Sequence, residues 1–173
     1  MLIKFKDKEP KVGKDVLICD GAKVIGDVIL GDNVSIWYNC VLRGDVNLIQ
    51  IGENTNVQDL TTIHVWHKDV QNPQGFPVII GKNVTIGHNC IIHACKIDDN
   101  CLIGMGAIVM DDVEIGNNSI VGAGAVVTKG KKFPPNSLIL GSPAKFVREL
   151  KQEEIEEIAN SAIRYVGFKN DFL

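Results

Sequence analysis

One passage of this chain is written twice, and the repetition limits what the chain can fold into. Residues 51–64, Ile51-Gly-Glu-Asn-Thr-Asn-Val-Gln-Asp-Leu-Thr-Thr-Ile-His64, lie over residues 80–93, Ile80-Gly-Lys-Asn-Val-Thr-Ile-Gly-His-Asn-Cys-Ile-Ile-His93, at a constant offset of 29. Between the copies, Val65 to Val78 carries Pro73, Gly75 and Pro77, the composition of an inserted loop. Without that loop the period falls to about 18 residues, or three hexapeptides. Equivalent starts recur at Val12, Leu30, Ile51, Ile80, Ile97 and Ile115, with steps of 18, 21, 29, 17 and 18. The excess falls before Ile51 and before Ile80, which marks two insertions.

Inside each unit an aliphatic or small side chain returns every sixth position, as at Val24, Leu30, Ile36 and Leu42, with Gly, Asn and Asp between. Period six fits neither an amphipathic helix nor a long alternating strand. Short strands joined at residues that tolerate a left-handed backbone produce it. Three such strands per coil make a triangular parallel β-solenoid around a continuous aliphatic core. The expected class is an all-β solenoid over residues 1–140, interrupted by the loop at 65–78, with Phe133-Pro134-Pro135 ending the coil. Lys151 to Val166 spaces Ile155, Ile158, Ala159, Ala162, Ile163 and Val166 along one helical stripe. Residues 141–173 are therefore expected to be a C-terminal helical segment packed on the solenoid.

Charge and cysteine content narrow the function. The 173 residues carry a net charge of −3 with both signs interspersed, so there is no basic surface of the kind that binds nucleic acid or an anionic membrane. No apolar run reaches the length of a membrane span, and Met1-Leu-Ile-Lys-Phe-Lys6 lacks a signal core. The expected location is the cytoplasm. Five cysteines without a C-x-x-C pair read as reduced, small apolar residues.

Registering the coils on one another stacks Arg43, His64 and His93 in one column, about 4.8 Å apart, with Met110 and Thr128 beyond them. Two imidazoles at strand spacing can aim nitrogen atoms at one point, as a metal requires of two ligands. His88 is the candidate third ligand, but roughly 16 Å of extended chain separates it from His93. A neighbouring copy supplies it if the prisms pack about a threefold axis. The expectation is a homotrimer, with His64 and His93 from one subunit and His88 from the next. Three histidines with an open fourth position are a catalytic zinc arrangement. His67, inside the loop, reads as a surface residue. Arg43 and Asp45 form an ion pair that contributes little on a free surface and at a subunit interface sets the register of the ring.

Leu42-Arg43-Gly44-Asp45, Asn56-Val-Gln58-Asp59, Ile63-His64-Val65, Ile86-Gly-His88 and Ile92-His93 together resemble the gamma-class carbonic anhydrases. Leu140-Gly-Ser-Pro-Ala-Lys145 resembles a closing motif of hexapeptide-repeat proteins, so the resemblance spans nearly the whole chain, in the shorter bacterial form of the family. It implies a left-handed parallel β-helix with His64, His88 and His93 as ligands to Zn2+, or to Fe2+ or Co2+. It further implies that Arg43 and Asp45 pair across subunits and that Gln58 bonds metal-bound solvent, with Asn56 and Asp59 in support. Tyr165 resembles a tyrosine that approaches the metal from outside the coil. The implied reaction is hydration of CO2 to bicarbonate by water whose pKa the metal lowers to about 7. Val46 stands where archaeal enzymes of this class carry a glutamate, and the loop offers His67, Lys68 and Asp69 but no glutamate, so their proton-exporting carboxylates are absent. The same coil also hosts acyltransferases with a histidine base, which share Gly141-Ser-Pro-Ala-Lys145; a thioester hydrolase and a metal-binding trimeric scaffold are the other readings.

Overall fold

Asparagine decides where this chain turns. In the computed structural model, which describes residues 1–173, Asn33, Asn54, Asn83, Asn100, Asn118 and Asn136 all take positive φ, between 52° and 63°. Their short polar side chains make that left-handed conformation tolerable. Each amide also hydrogen-bonds the one above, at 3.0–3.3 Å, so the turns form an unbroken ladder along one edge.

The product is a left-handed parallel β-helix of about eight turns closed by one helix. Its first side stacks Leu17–Ile18, Ser35–Ile36, Asn56–Val57, Thr85–Ile86, Leu102–Ile103, Ile120–Val121 and Ser137–Gly141. The second side takes the opening halves of two long strands, Lys23–Leu30 and Val41–Ile51, then Thr62–His64, Ile91–His93, Ile108–Val109 and Val126–Val127. The third side takes the closing halves of those long strands, then Val78–Ile80, Lys96–Ile97, Glu114–Ile115 and Lys132–Phe133.

Each side sends one aliphatic column inward. Ile36, Val57, Ile86, Ile103, Val121 and Ile139 form the first, Leu42, Ile63, Ile92, Val109 and Val127 the second, and Leu30, Ile51, Ile80, Ile97 and Ile115 the third, none more than 2% exposed. Burial of each such side chain contributes about 1.5–3 kcal/mol. The corners are filled by small residues. All five cysteines are buried and unpaired, and the Cys40 and Cys90 thiols donate to the carbonyls of Gln58 and Gly104 at 3.0 and 3.2 Å.

Three details depart from the sequence reading. Phe133-Pro134-Pro135 does not end the coil: the prolines lie at a turn, where no ladder needs their missing N–H, and Ser137–Gly141 adds a further strand beside Ile120–Val121. The chain then reverses, and Ala144–Glu149 pairs antiparallel with that strand, so the segment before the helix is a hairpin. The helix itself runs over Gln152–Asn170, beyond Val166, and turns Ile163 to solvent at 68% exposure.

The helix buries Ile158, Ser161 and Ala162 against the first side. Its far end is held by Lys169, whose fully buried ammonium donates to the Asp15 carbonyl at 2.9 Å and to Asn170 Oδ1 at 2.8 Å. Tyr165 and Phe172 meet the Trp37 ring edge-on, at 5.9 and 5.4 Å between centroids. No helix is long and apolar enough to cross a membrane.

Candidate metal centre

Both insertions fall at the corner where the chain leaves the second side. Gly26 pairs with Gly44, but two residues later Val28 pairs with Ile49, so three extra residues bulge out within Asp45–Leu48. The second insertion is the 65–78 loop. Parallel register places Arg43 beside His64, and His64 beside His93. The bulge brings Asp45 back over this column. His64 Nε2 donates to Asp45 Oδ1 at 2.9 Å, and Arg43 Nη1 pairs with Asp45 Oδ2. On the next coil, His93 Nδ1 hydrogen-bonds Asp111 Oδ1.

The remaining ring nitrogens, His64 Nδ1 and His93 Nε2, face each other at 3.1 Å. A carboxylate only accepts, so each ring presents an N–H to its aspartate and, in its neutral form, a bare lone pair to the other ring. Burial, helped by the Arg43 charge, outweighs Asp45 and pushes the His64 imidazole below its ordinary value, which keeps it neutral near pH 7. Burial also pushes the Asp45 carboxyl up, yet the His64 hydrogen bond and the Arg43 guanidinium outweigh it and hold the group below the usual carboxylate range. Two imidazoles with converging ring nitrogens can share one cation. Tetrahedral zinc with bonds of about 2.0–2.1 Å would set its ligand nitrogens roughly 3.3–3.4 Å apart, close to the separation observed.

The loop walls this pair. Trp66 bridges to Phe76 across its base, and Asn47, on the bulge, donates to the carbonyls of Trp66 and Gln74 at 3.1 and 2.9 Å. The Trp66 ring stands edge-on to His93 at 6.3 Å, His67 stacks on it at 5.2 Å and the Lys129 ammonium lies 5.7 Å from its centroid.

His88 stands at the other end of the same side. It stacks between Asp59 and Met105 at the corner where the chain enters the second side, and its Nδ1 lies 2.8 Å from Asp59 Oδ2. Gln58 is buried beside it, with Nε2 donating to Asn56 Oδ1 at 3.2 Å, while Asn56 Nδ2 donates to Thr85 Oγ1 at 3.0 Å. Gln58, His88 and Tyr165 line one groove of about 480 Å³ under the helix. Burial there, with the Asp59 charge, raises the Tyr165 hydroxyl.

A single chain thus divides the expected residues in two. Arg43, Asp45, His64 and His93 meet at one corner; Asn56, Gln58, Asp59, His88 and Tyr165 gather at the other. No three histidine, cysteine or carboxylate side chains of one chain are grouped to hold a metal. Asp111, Trp66 and Asn47 were not singled out by the sequence. Only Asp111 leaves a trace there, as a carboxylate one residue past Met110 in the histidine column.

The coil matches two family models, "Bacterial transferase hexapeptide (six repeats)" over residues 9–44 and 94–129 and "Hexapeptide repeat of succinyl-transferase" over 77–110. The chain is 44% identical to gamma carbonic anhydrase 2, mitochondrial, of Arabidopsis thaliana, over 96% of this chain and 59% of that protein. It is 43% identical to the carbonic anhydrase of Geobacillus kaustophilus, over 96% of this chain and 87% of that one. A solved hexapeptide transferase family protein from Anaplasma phagocytophilum superposes with a TM-score of 0.92 at 41% identity, covering 100% of this chain and 98% of the other. Repeat, register and relatives agree: the chain belongs to the gamma carbonic anhydrase family of hexapeptide-repeat proteins.

Proposed function

We propose that this chain hydrates carbon dioxide to bicarbonate as a homotrimer, in which His64 and His93 of one subunit and His88 of the next hold a metal ion, zinc or else iron or cobalt. The observation that carries this reading is the pair of imidazole nitrogens 3.1 Å apart, each ring backed by its own aspartate. His88, likewise backed by Asp59, sits on the opposite corner of the prism, so the set is completed only between copies. Exposed apolar side chains near the His88 corner and along the second side, Leu60, Ile91 and Met105, at 58%, 47% and 60%, favour such packing.

A metal held by three imidazoles supplies ionised water near neutral pH. Around it, the chain's own residues position and exclude. The Asn56 amide, fixed by Thr85, accepts from Gln58 Nε2, which leaves Gln58 Oε1 to accept a hydrogen bond from reacting water and so orient its attack. Arg43 neutralises Asp45, and Trp66 screens His93 from bulk solvent.

Stopped-flow CO2 hydration on anaerobically purified protein, with metal content measured on the same sample, tests the proposal. Turnover proportional to bound metal is expected; a fully metallated trimer without hydration overturns it and points to thioester hydrolysis or a scaffold. The His88–Asp59 pair also has the form of a general base, and the solved relative is called a transferase. Acyl-CoA binding by metal-free protein would favour that second reading.

A further inference from the structure

We infer that Asp111 is the positioning residue of His93, holding the ring in the one tautomer and orientation that aims a bare Nε2 at the ion shared with His64. The inference rests on the metal-binding reading above and adds a residue to it. Asp111 Oδ1 accepts a hydrogen bond from His93 Nδ1, as Asp45 Oδ1 accepts one from His64 Nε2. In the tautomer that each aspartate favours, the facing nitrogens at 3.1 Å carry lone pairs that repel unless a cation lies between them. The two aspartates therefore pre-organise a site that is unfavourable when empty and favourable when filled.

The turn does not require a carboxylate here. Register carries the position of Asp111 to Lys129 on the following coil, where a corner of the same length forms without a carboxylate and Gly130 takes the positive φ that Asp112 takes here. On the preceding coil the corner is one residue shorter, and Ala94 itself takes it. The Asp111 side chain is 14% exposed, and the Asp111 carbonyl accepts from Gly130 N at 2.9 Å, which holds its backbone against the next coil. With Asp59 on His88, every histidine of the proposed set has a carboxylate on the nitrogen turned away from the metal. Such outer partners fix the tautomer and raise the basicity of the ligating nitrogen, and their loss typically weakens metal binding 10–100-fold.

The test is Co2+ and Zn2+ titration of metal-free protein against a chromophoric chelator, with the visible spectrum of the cobalt form, for wild type, Asp111→Asn, Asp111→Ala and Asp111→Glu. Asn and Ala are expected to weaken binding about 10–100-fold and to shift the cobalt bands, with Glu restoring part of both, while the metal-free proteins keep their melting temperature. Wild-type affinity and an unchanged cobalt spectrum in Asp111→Ala would overturn the role while leaving the metal site standing. A lower melting temperature with unaltered binding would also overturn it, since that is what a purely structural turn residue gives. If wild type itself takes up no Co2+ or Zn2+, both this role and the metal reading fall.

Discussion

Nδ1 of His64 lies 3.1 Å from Nε2 of His93, and neither ring can turn that nitrogen away without losing its contact to Asp45 or Asp111. On the proposed reading, one chain offers two ligand nitrogens and no third nearby. Replacing His88 by alanine should therefore empty the site as thoroughly as His93→Ala, although His88 touches neither ring within its own chain. Metal content per subunit of the purified variants checks this, and full occupancy in His88→Ala would refute the shared site.

The asparagine ladder makes a separate prediction about stability. Asn83 receives a bond from Asn54 and gives one to Asn100, at 3.0 and 3.2 Å, with φ at 54°. Asn83→Ala loses both bonds, at about 0.5–1.5 kcal/mol each, and adds about 1–2 kcal/mol of left-handed backbone cost. Asn83→Gly loses the bonds but keeps the conformation freely. Urea unfolding should rank wild type above Gly and Gly above Ala; equal values for the two variants would mean that backbone conformation is not the deciding term.

Acid should loosen the helix first at its start. Arg148 grips Glu154 through both oxygens at 2.7 and 2.8 Å, and the Lys151 N–H adds a third bond at 2.8 Å; the arginine first and the backbone second hold this carboxyl down to about 2. The folded value lies below the unfolded one of about 4.3, so the stabilisation is complete above pH ~4.3 and fades as pH falls toward about 2. The group is exposed, so the effect is modest and weakens with salt. Tryptophan fluorescence in a Trp66→Phe background, so that it reports Trp37 as Tyr165 and Phe172 leave it, should change in this window, and Glu154→Gln should flatten the change. An identical acid transition in that variant would rule the pair out.

The cysteines should be inert. Burial pushes the Cys40 thiol up to about 11 and Cys101 to about 12, and Cys19, Cys90 and Cys95 are raised by the same cause. Reaction needs the thiolate. A disulfide reagent at pH 8 should therefore titrate no thiol in the native protein and all five after denaturation; rapid native reaction would show that the coil opens locally.

Much of the fold is legible because the solenoid repeats its physics every six residues. An inward aliphatic at each strand and an Asn, Asp or Gly at most turns leave a period that survives two insertions, and the same period aligns Arg43, His64 and His93. The hairpin after Ser137–Gly141 broke no such rule, but it has no repeat to announce it. Ile163 matched the helical stripe and still faces solvent, because the side of a helix that is buried depends on where Trp37 and the first side of the coil stand.

The sequence by itself determined the coil, its register and therefore which histidines share a column. Tertiary structure alone decided that Asp45 folds back from a bulge onto His64, that Asp111 closes on His93 from the next coil, and that the helix brings Tyr165 into one groove with Gln58 and His88. Periodicity records which way a side chain points relative to the core. Hydrogen bonds between outward-facing groups depend on how extra residues leave the coil, and no period encodes that.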